Sequence, residues 1–273
     1  MKIETQILSG AGNTFHIVFD RQKDFDTRKN PREAMREAAK IICEKNGADG
    51  FIFLESADKR VRPEQASEFK WTFFNSDGSD AEMCGNATRC VGYFLVNEIG
   101  SLREKWILET VRGMLEIRKV SGDVYSVKMP AIQQGKSQLG FYCDTGVPHL
   151  VLPSPFATLF DQLQNADFKE KSSKLRFHDS FGTRGTNVTY VEMTDDAKKI
   201  KAASYERGVE GFTQACGTGA VAAAFYNLTT RGILETAVEM PGGTLTINIQ
   251  NISEPVMTGP AKLLEKHTYE IEI

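Results

Sequence analysis

An internal repeat constrains this chain more than any other feature. The segment MCGNATRCVGYF around Cys84 aligns with ACGTGAVAAAFY around Cys216, 132 residues later. Downstream, ETVRGMLEI aligns with EMPGGTLTI, so that Gly113 and Gly243, Leu115 and Leu245, and Ile117 and Ile247 are each 130 residues apart. Pro130 and Pro260 keep that spacing. Solenoid units run only to roughly 45 residues, so a repeat of this length predicts two similar domains and not an array. The expected division is residues 1–130 and 131–261, with 262–273 rejoining the first domain. Two such domains are expected to set their equivalent helix starts face to face across a cleft.

At 273 residues the chain can support two cores without a covalent staple. A net charge of −3, with 25% charged residues, gives no electrostatic basis for binding nucleic acid or an anionic membrane. The N-terminal MKIETQILSG contains no apolar signal core, and no stretch reaches the roughly 18 apolar residues of a membrane span. A cytoplasmic protein with a small-molecule partner is expected, its assembly state left open with a homodimer among the options. Five cysteines, an odd number without a paired Cys-x-x-Cys, speak against a disulfide framework and a four-ligand zinc site. Cys43, Cys90 and Cys143 sit among apolar neighbours and read as small core hydrophobes.

Cys84 and Cys216 read differently, because each is followed by glycine and opens a helical stretch. The first turn of a helix presents backbone N–H groups without intrahelical partners and a positive dipole end, both favouring an anion. A thiol there can fall from a pKa of about 8.5 into the range of roughly 3.5–7.5. Each cysteine is therefore expected to serve as acid or base near neutral pH.

Local patterns fill in an α+β class, with a mostly antiparallel sheet wrapped around a central helix in each half. NPREAMREAAKIICEKNG has a capping Asn30, Pro31 in the first turn and a closing Gly47, the marks of a helix. Alternating apolar residues predict strands at NTFHIVFD, DGFIFLE, KWTFFN, KWILETV, GMLEIRKV and VYSVKMP in the first half. The second half offers HLVLP, GTNVTYVE, IKAASYERG, AVEMPG and GTLTINIQ, with a last strand at YEIEI. A helix is also expected over SPFATLFDQLQN, begun by Ser154 and Pro155, and a solvated loop at FKEKSSK.

Six segments in order, GAGNTFHIVFD, FFNSDGSDAEMCGNATRC, GVPHLV, GTNVTYVE, YERGVEGFTQACGTGA and MPGGTL, resemble the diaminopimelate epimerase family across nearly the whole chain. The resemblance implies a cofactor-independent enzyme that inverts the α-carbon of LL-2,6-diaminopimelate with two opposed thiols. It pairs Cys84 with His149 and Cys216 with Glu206. It assigns Asn13, Asn75 and Asn187 to hydrogen bonds with substrate, Arg207, with Glu206 beside it, to the far amino-acid end, and the N–H groups of Gly85, Asn86, Gly217 and Thr218 to the reacting carboxylate. No metal is implied. This chemistry suits the residue types, since an α-proton is a weak acid and its removal needs preorganised donors where negative charge develops.

Three positions depart from the family pattern: Val147 where asparagine is common, Ala87 where glycine is, and Thr14 where aspartate is. They leave open a related racemase acting on another amino acid. A phosphate binder using SGAGNT, CGTGA and PGGT as cradles is a further alternative, although none of these has P-loop spacing.

Overall fold

The computed structural model describes residues 1–20, 24–26, 28–57, 68–81 and 83–273, which leaves Glu82 of the FFNSDGSDAEMC segment outside the description. The chain divides into two compact units, Met1–Val127 with Pro260–Ile273, and Lys128–Gly259.

In the first unit the strand Lys2–Gly10 pairs antiparallel with Lys262–Glu270 on one side and with Asn13–Phe19 on the other. Asn13–Phe19 runs parallel to Gly50–Ser56, which lies antiparallel to Phe69–Asn75, itself parallel to Lys105–Thr110. Two antiparallel steps, to Gly113–Ser121 and then to Val124–Lys128, complete the ladder. Each parallel step needs a crossover, and helices supply both: α1 (Pro31–Asn46) and α2 (Gly85–Asn97). The α1 boundaries follow its local chemistry. Asn30 accepts the Glu33 N–H, Pro31 lacks the N–H it would not use, and Gly47 closes the end at φ 71°.

Helix α2 is apolar on nearly all sides because the sheet surrounds it. Ala87, Cys90, Val91, Phe94 and Leu95 pack with Leu8, Phe15, Ile52, Trp71, Trp106, Ile117 and Tyr125 in one core. A second layer, under α1, joins Met35, Ala38 and Ile42 to Phe51, Phe53 and Phe74.

The second unit repeats that order of pairings. Phe141–Asp144 lies antiparallel to Pro148–Pro153, which runs parallel to Asn187–Met193, antiparallel in turn to Lys199–Glu206. Lys199–Glu206 runs parallel to Glu235–Met240, followed by antiparallel Gly243–Asn248 and Val256–Pro260. The crossovers are α3 (Ala166–Arg176) and α4 (Gly217–Arg231). Helix α4 takes the enclosed position of α2, with Gly219 through Phe225 all buried. The observed class is thus α+β.

Three expectations from local sequence are overturned. SPFATLFDQLQN is no helix and contains only the single 3-10 turn Phe160–Gln162. Ser154 Oγ and Phe156 bond each other across the proline, and the Leu159 N–H is taken by the Glu192 carboxylate at 2.7 Å, so the backbone is satisfied without a helical ladder. Conversely, FKEKSSK lies within α3. Asn165 caps it by accepting from Asp167 and Phe168, and Phe168, Ser172 and Arg176 bury one stripe at spacing four against Tyr190 and Phe212. The last strand begins at Lys262 and stops at Glu270, so only the first two residues of YEIEI belong to it.

Candidate active site

The sequence-predicted site residues fall in both units. In the first unit the hairpin between Lys2–Gly10 and Asn13–Phe19 turns through Ala11 (φ 56°) and Gly12 (φ 95°), the left-handed pair that a two-residue hairpin of primed type requires. Asn13 is the first residue beyond that turn. The hairpin lies directly on the start of α2, where a Cβ on Gly10 would come within 2.6 Å of the Asn86 carbonyl oxygen.

Asn86 bridges the two elements. Its Oδ1 accepts from Arg89 Nη2 at 2.9 Å and its Nδ2 donates to Asn13 Oδ1 at 2.7 Å. A guanidinium only donates, so Arg89 fixes which way the Asn86 amide faces. The Asn13 oxygen is thereby engaged, leaving its Nδ2 as the donor to offer a ligand. Asn75, exposed at the end of its strand, donates to Ser79 Oγ at 2.9 Å.

Cys84 is the N-cap of α2, in extended backbone geometry with φ −143° and ψ 119°. Its carbonyl accepts from both the N–H and the hydroxyl of Thr88, while its half-buried side chain caps no helix amide. Arg89, fully buried one turn further on, is held down to about 10 by burial, with the neighbouring Cys90 and Cys84 thiols pulling the other way. That coupling puts a cation within electrostatic reach of Cys84.

In the second unit the parallel register sets His149 beside Asn187. His149 is buried, with Nδ1 2.9 Å from Thr189 Oγ1, Nε2 3.0 Å from Thr218 Oγ1 and the Asn187 Nδ2 donating to Nε2 at 3.4 Å. An amide nitrogen can only donate, so Nε2 carries the lone pair, Nδ1 carries the hydrogen, and Thr189 passes the chain on to Ser204 at 2.9 Å. Burial, with the Arg207 charge as the lesser cause, pushes the imidazole down to about 3. It is neutral at any physiological pH. Arg207 is anchored through its backbone, whose N–H donates to Asn187 Oδ1 at 2.8 Å.

Cys216 is the N-cap of α4. Its sulfur accepts the Gly219 N–H at 3.4 Å and lies 3.4 Å from Thr218 Oγ1, which links it to His149. The fit leaves no room at Gly219, where a Cβ would sit 2.2 Å from Ser204 Oγ. The expected lowering of the thiol pKa by the helix start does not prevail here. Burial raises the Cys216 thiol well above its ordinary value and the Glu206 carboxylate raises it further, outweighing the Thr218 and Gly219 hydrogen bonds. Glu206 itself is bonded by the Thr213 hydroxyl.

Sequence reasoning missed Thr189, Ser204, Thr213 and Arg89. Thr189 and Ser204 come from strand positions whose partners are remote in sequence, Thr213 from a loop seven residues beyond Glu206, and Arg89 from the buried face of a helix, where a cation is unusual. No group of three or more His, Cys, Asp or Glu side chains suited to a metal ion occurs among the described residues. No helix among them is long and apolar enough to cross a membrane.

By shape, the chain resembles a phenazine biosynthesis protein of the PhzF family from Bacillus anthracis, with a TM-score of 0.77 over 99% of this chain and 100% of the other at 14% identity. A hydroxyproline epimerase from Agrobacterium vitis, solved with trans-4-hydroxy-L-proline, matches with a TM-score of 0.68 over 98% and 91% at 14% identity. These define a shared α+β fold built from two similar halves. In sequence, the diaminopimelate epimerase family model matches residues 5–131 and 141–264. The diaminopimelate epimerase of Aquifex aeolicus is 33% identical, covering 92% of each chain, and that of Carboxydothermus hydrogenoformans 32% identical, covering 96% of this chain and 97% of the other. The chain belongs to the diaminopimelate epimerase family.

Proposed function

We propose that this protein is an isomerase that epimerises LL-2,6-diaminopimelate to the meso form without a cofactor, using Cys84 and Cys216 as its two proton-transfer groups. The observation that carries the reading is that both cysteines occupy the N-cap of repeat-related, enclosed helices. Each places a sulfur beside backbone N–H groups that helix geometry leaves without an intrahelical partner. Those of Gly85, Asn86, Gly217 and Thr218 would bind the α-carboxylate and stabilise the charge that grows on it as the proton leaves.

The proton transfers then divide between the halves. Cys216, raised by burial and Glu206, supports the role of thiol donor, and Cys84, backed by the Arg89 cation, that of thiolate base. One sulfur takes the α-proton from one face of the carbon and the other delivers a proton to the opposite face, inverting the centre. In the reverse direction Cys216 gives up its proton to Glu206 before acting as base. His149, neutral with its lone pair on Nε2, can take a proton from a thiol but has none to give from that atom. Arg207 supplies the cation for the carboxylate at the far end of the substrate, with Asn13, Asn75 and Asn187 as amide partners.

The test is exchange of the diaminopimelate α-proton with deuterated solvent by purified protein with no cofactor added. Exchange with epimerisation is expected, and Cys84→Ala and Cys216→Ala are each expected to reduce it by a factor on the order of a thousand or more, at the scale of losing a positioned acid or base. Undiminished exchange in both variants would overturn the reading.

A further inference from the structure

Helix α3 ends on a residue that joins the two substrate-side loops of the second unit. The Arg176 side chain is 7% exposed. Its carbonyl oxygen accepts the Thr186 N–H at 3.1 Å, one residue before Asn187. Its Nη1 donates to the Arg184 carbonyl at 2.9 Å, and its Nη2 meets Glu210 Oε1 at 2.9 Å.

Glu210 lies three residues beyond Arg207. The same Oε1 also accepts the Gly208 N–H at 3.0 Å, and the Glu210 N–H donates to the Glu206 carbonyl at 2.8 Å. Glu210 makes these contacts from φ 54°, a left-handed conformation that costs a glutamate free energy and that glycine adopts readily. A strained residue whose carboxylate is held by a buried guanidinium is a latch on its turn. The opposite side of the same turn is tied down where Arg207 N–H donates to Asn187 Oδ1. One arginine thus braces the strand entry carrying Asn187 and the turn carrying Arg207. Gly185 completes the fit, since a Cβ there would lie 2.2 Å from both Arg176 O and Nη1.

We propose that Arg176 and Glu210 are positioning residues for the far-end carboxylate subsite, setting where Arg207 and Asn187 stand without touching substrate. The inference rests on the proposed epimerase reading. It separates from a purely structural role through Glu210→Gly, which removes the latch while relieving the strained backbone. The parent enzyme, Arg176→Met, Glu210→Gly and the double variant are compared for kcat and KM with LL-diaminopimelate, for melting temperature, and for hydrogen–deuterium exchange of residues 205–212.

For Glu210→Gly the expectation is a KM raised about tenfold, the effect of losing one well-placed contact, with kcat within about twofold, faster exchange in 205–212 and an unchanged melting temperature. Arg176→Met should match it in KM, and the double variant should add little to either, because both break one latch. Unchanged KM in Glu210→Gly, with or without faster loop exchange, overturns the proposal, as does a fall in kcat and melting temperature at constant KM. An inactive parent enzyme overturns the epimerase reading instead, and unchanged loop exchange in both variants would then still dismiss the latch.

Discussion

Cys84 and Cys216 are products of the same repeat, at the same place on equivalent helices, yet their surroundings differ. Cys84 is half-buried, caps no helix amide with its sulfur, and has the Arg89 cation within electrostatic reach. Cys216 is buried, accepts from Gly219, and faces a carboxylate. A helix start contributes a similar partial charge at both, so the difference lies in desolvation and in the sign of the nearest ionised side chain. Two halves built on one pattern thus hold their cysteines in different surroundings, a difference that the proposed division between proton donor and base would use.

Alkylation by iodoacetamide breaks that comparison most directly. In substrate-free protein at pH 8, Cys84 should react faster than Cys216 by a factor on the order of a thousand, because the thiolate is the reacting form and Cys216 is both buried and raised. Peptide mass spectrometry assigns each site. Glu206→Gln should narrow the gap by removing the carboxylate that raises Cys216. Equal rates in the parent protein would mean that the two sulfurs are equivalent and that the proposed division between donor and base is wrong.

The buried histidines extend the comparison to stability. His149 is held down to about 3 by burial first and by Arg207 second. Between that value and the unfolded value of about 6.5 the unfolded chain binds a proton that the native state refuses. Stability from this group is therefore intact above about pH 6.5 and is lost as pH falls, at about 1.4 kcal/mol per pH unit in the middle of the window. His16 in the first unit is lowered as well, by burial, but the hydrogen bond it donates to Asn46 Oδ1 pulls it back. Urea unfolding at pH 7 and pH 4.5 should show His149→Gln flattening the acid loss by about 2–3 kcal/mol. His16→Gln should flatten it less. A parent slope retained in His149→Gln would show that the imidazole is charged or solvated in the native state.

What the sequence revealed and what it concealed follow the range of the interactions involved. The helix Pro31–Asn46 was legible because its cap, its proline and its closing glycine are neighbours in the chain. The two Cys-Gly helix starts were legible because the repeat marked them twice. The rise of the Cys216 thiol was not, since it depends on enclosure by strands and on a glutamate ten residues away. Nor was α3: three charged lysines and a glutamate disguised a stripe of Phe168, Ser172 and Arg176 whose burial is decided by contacts remote in sequence. In SPFATLFDQLQN the error ran the other way, with helical spacing of apolar residues overruled by the Ser154 bonds across Pro155 and by Glu192, on a strand remote in sequence, capturing the Leu159 N–H.

The smallest expected effect compares the outer helices of the two units. Both α1 and α3 begin at an asparagine, but Asn30 accepts a single N–H at 3.4 Å, whereas Asn165 accepts two, at 3.0 and 3.2 Å. Helix α1 also buries Met35, Ala38, Ala39, Ile42 and Cys43, and so depends less on its cap than α3, which buries three residues. Asn165→Ala should cost about 1 kcal/mol and Asn30→Ala about half that, within the usual span for an N-cap. Chemical denaturation of the two variants measures both. Because α3 ends in Arg176, fraying at its start should leave the KM of Asn165→Ala unchanged, since the bonds of Arg176 to Arg184, Thr186 and Glu210 hold its last turn in place. A KM rise like that of Arg176→Met would mean instead that α3 orders as one unit and transmits its cap to the Arg207 turn.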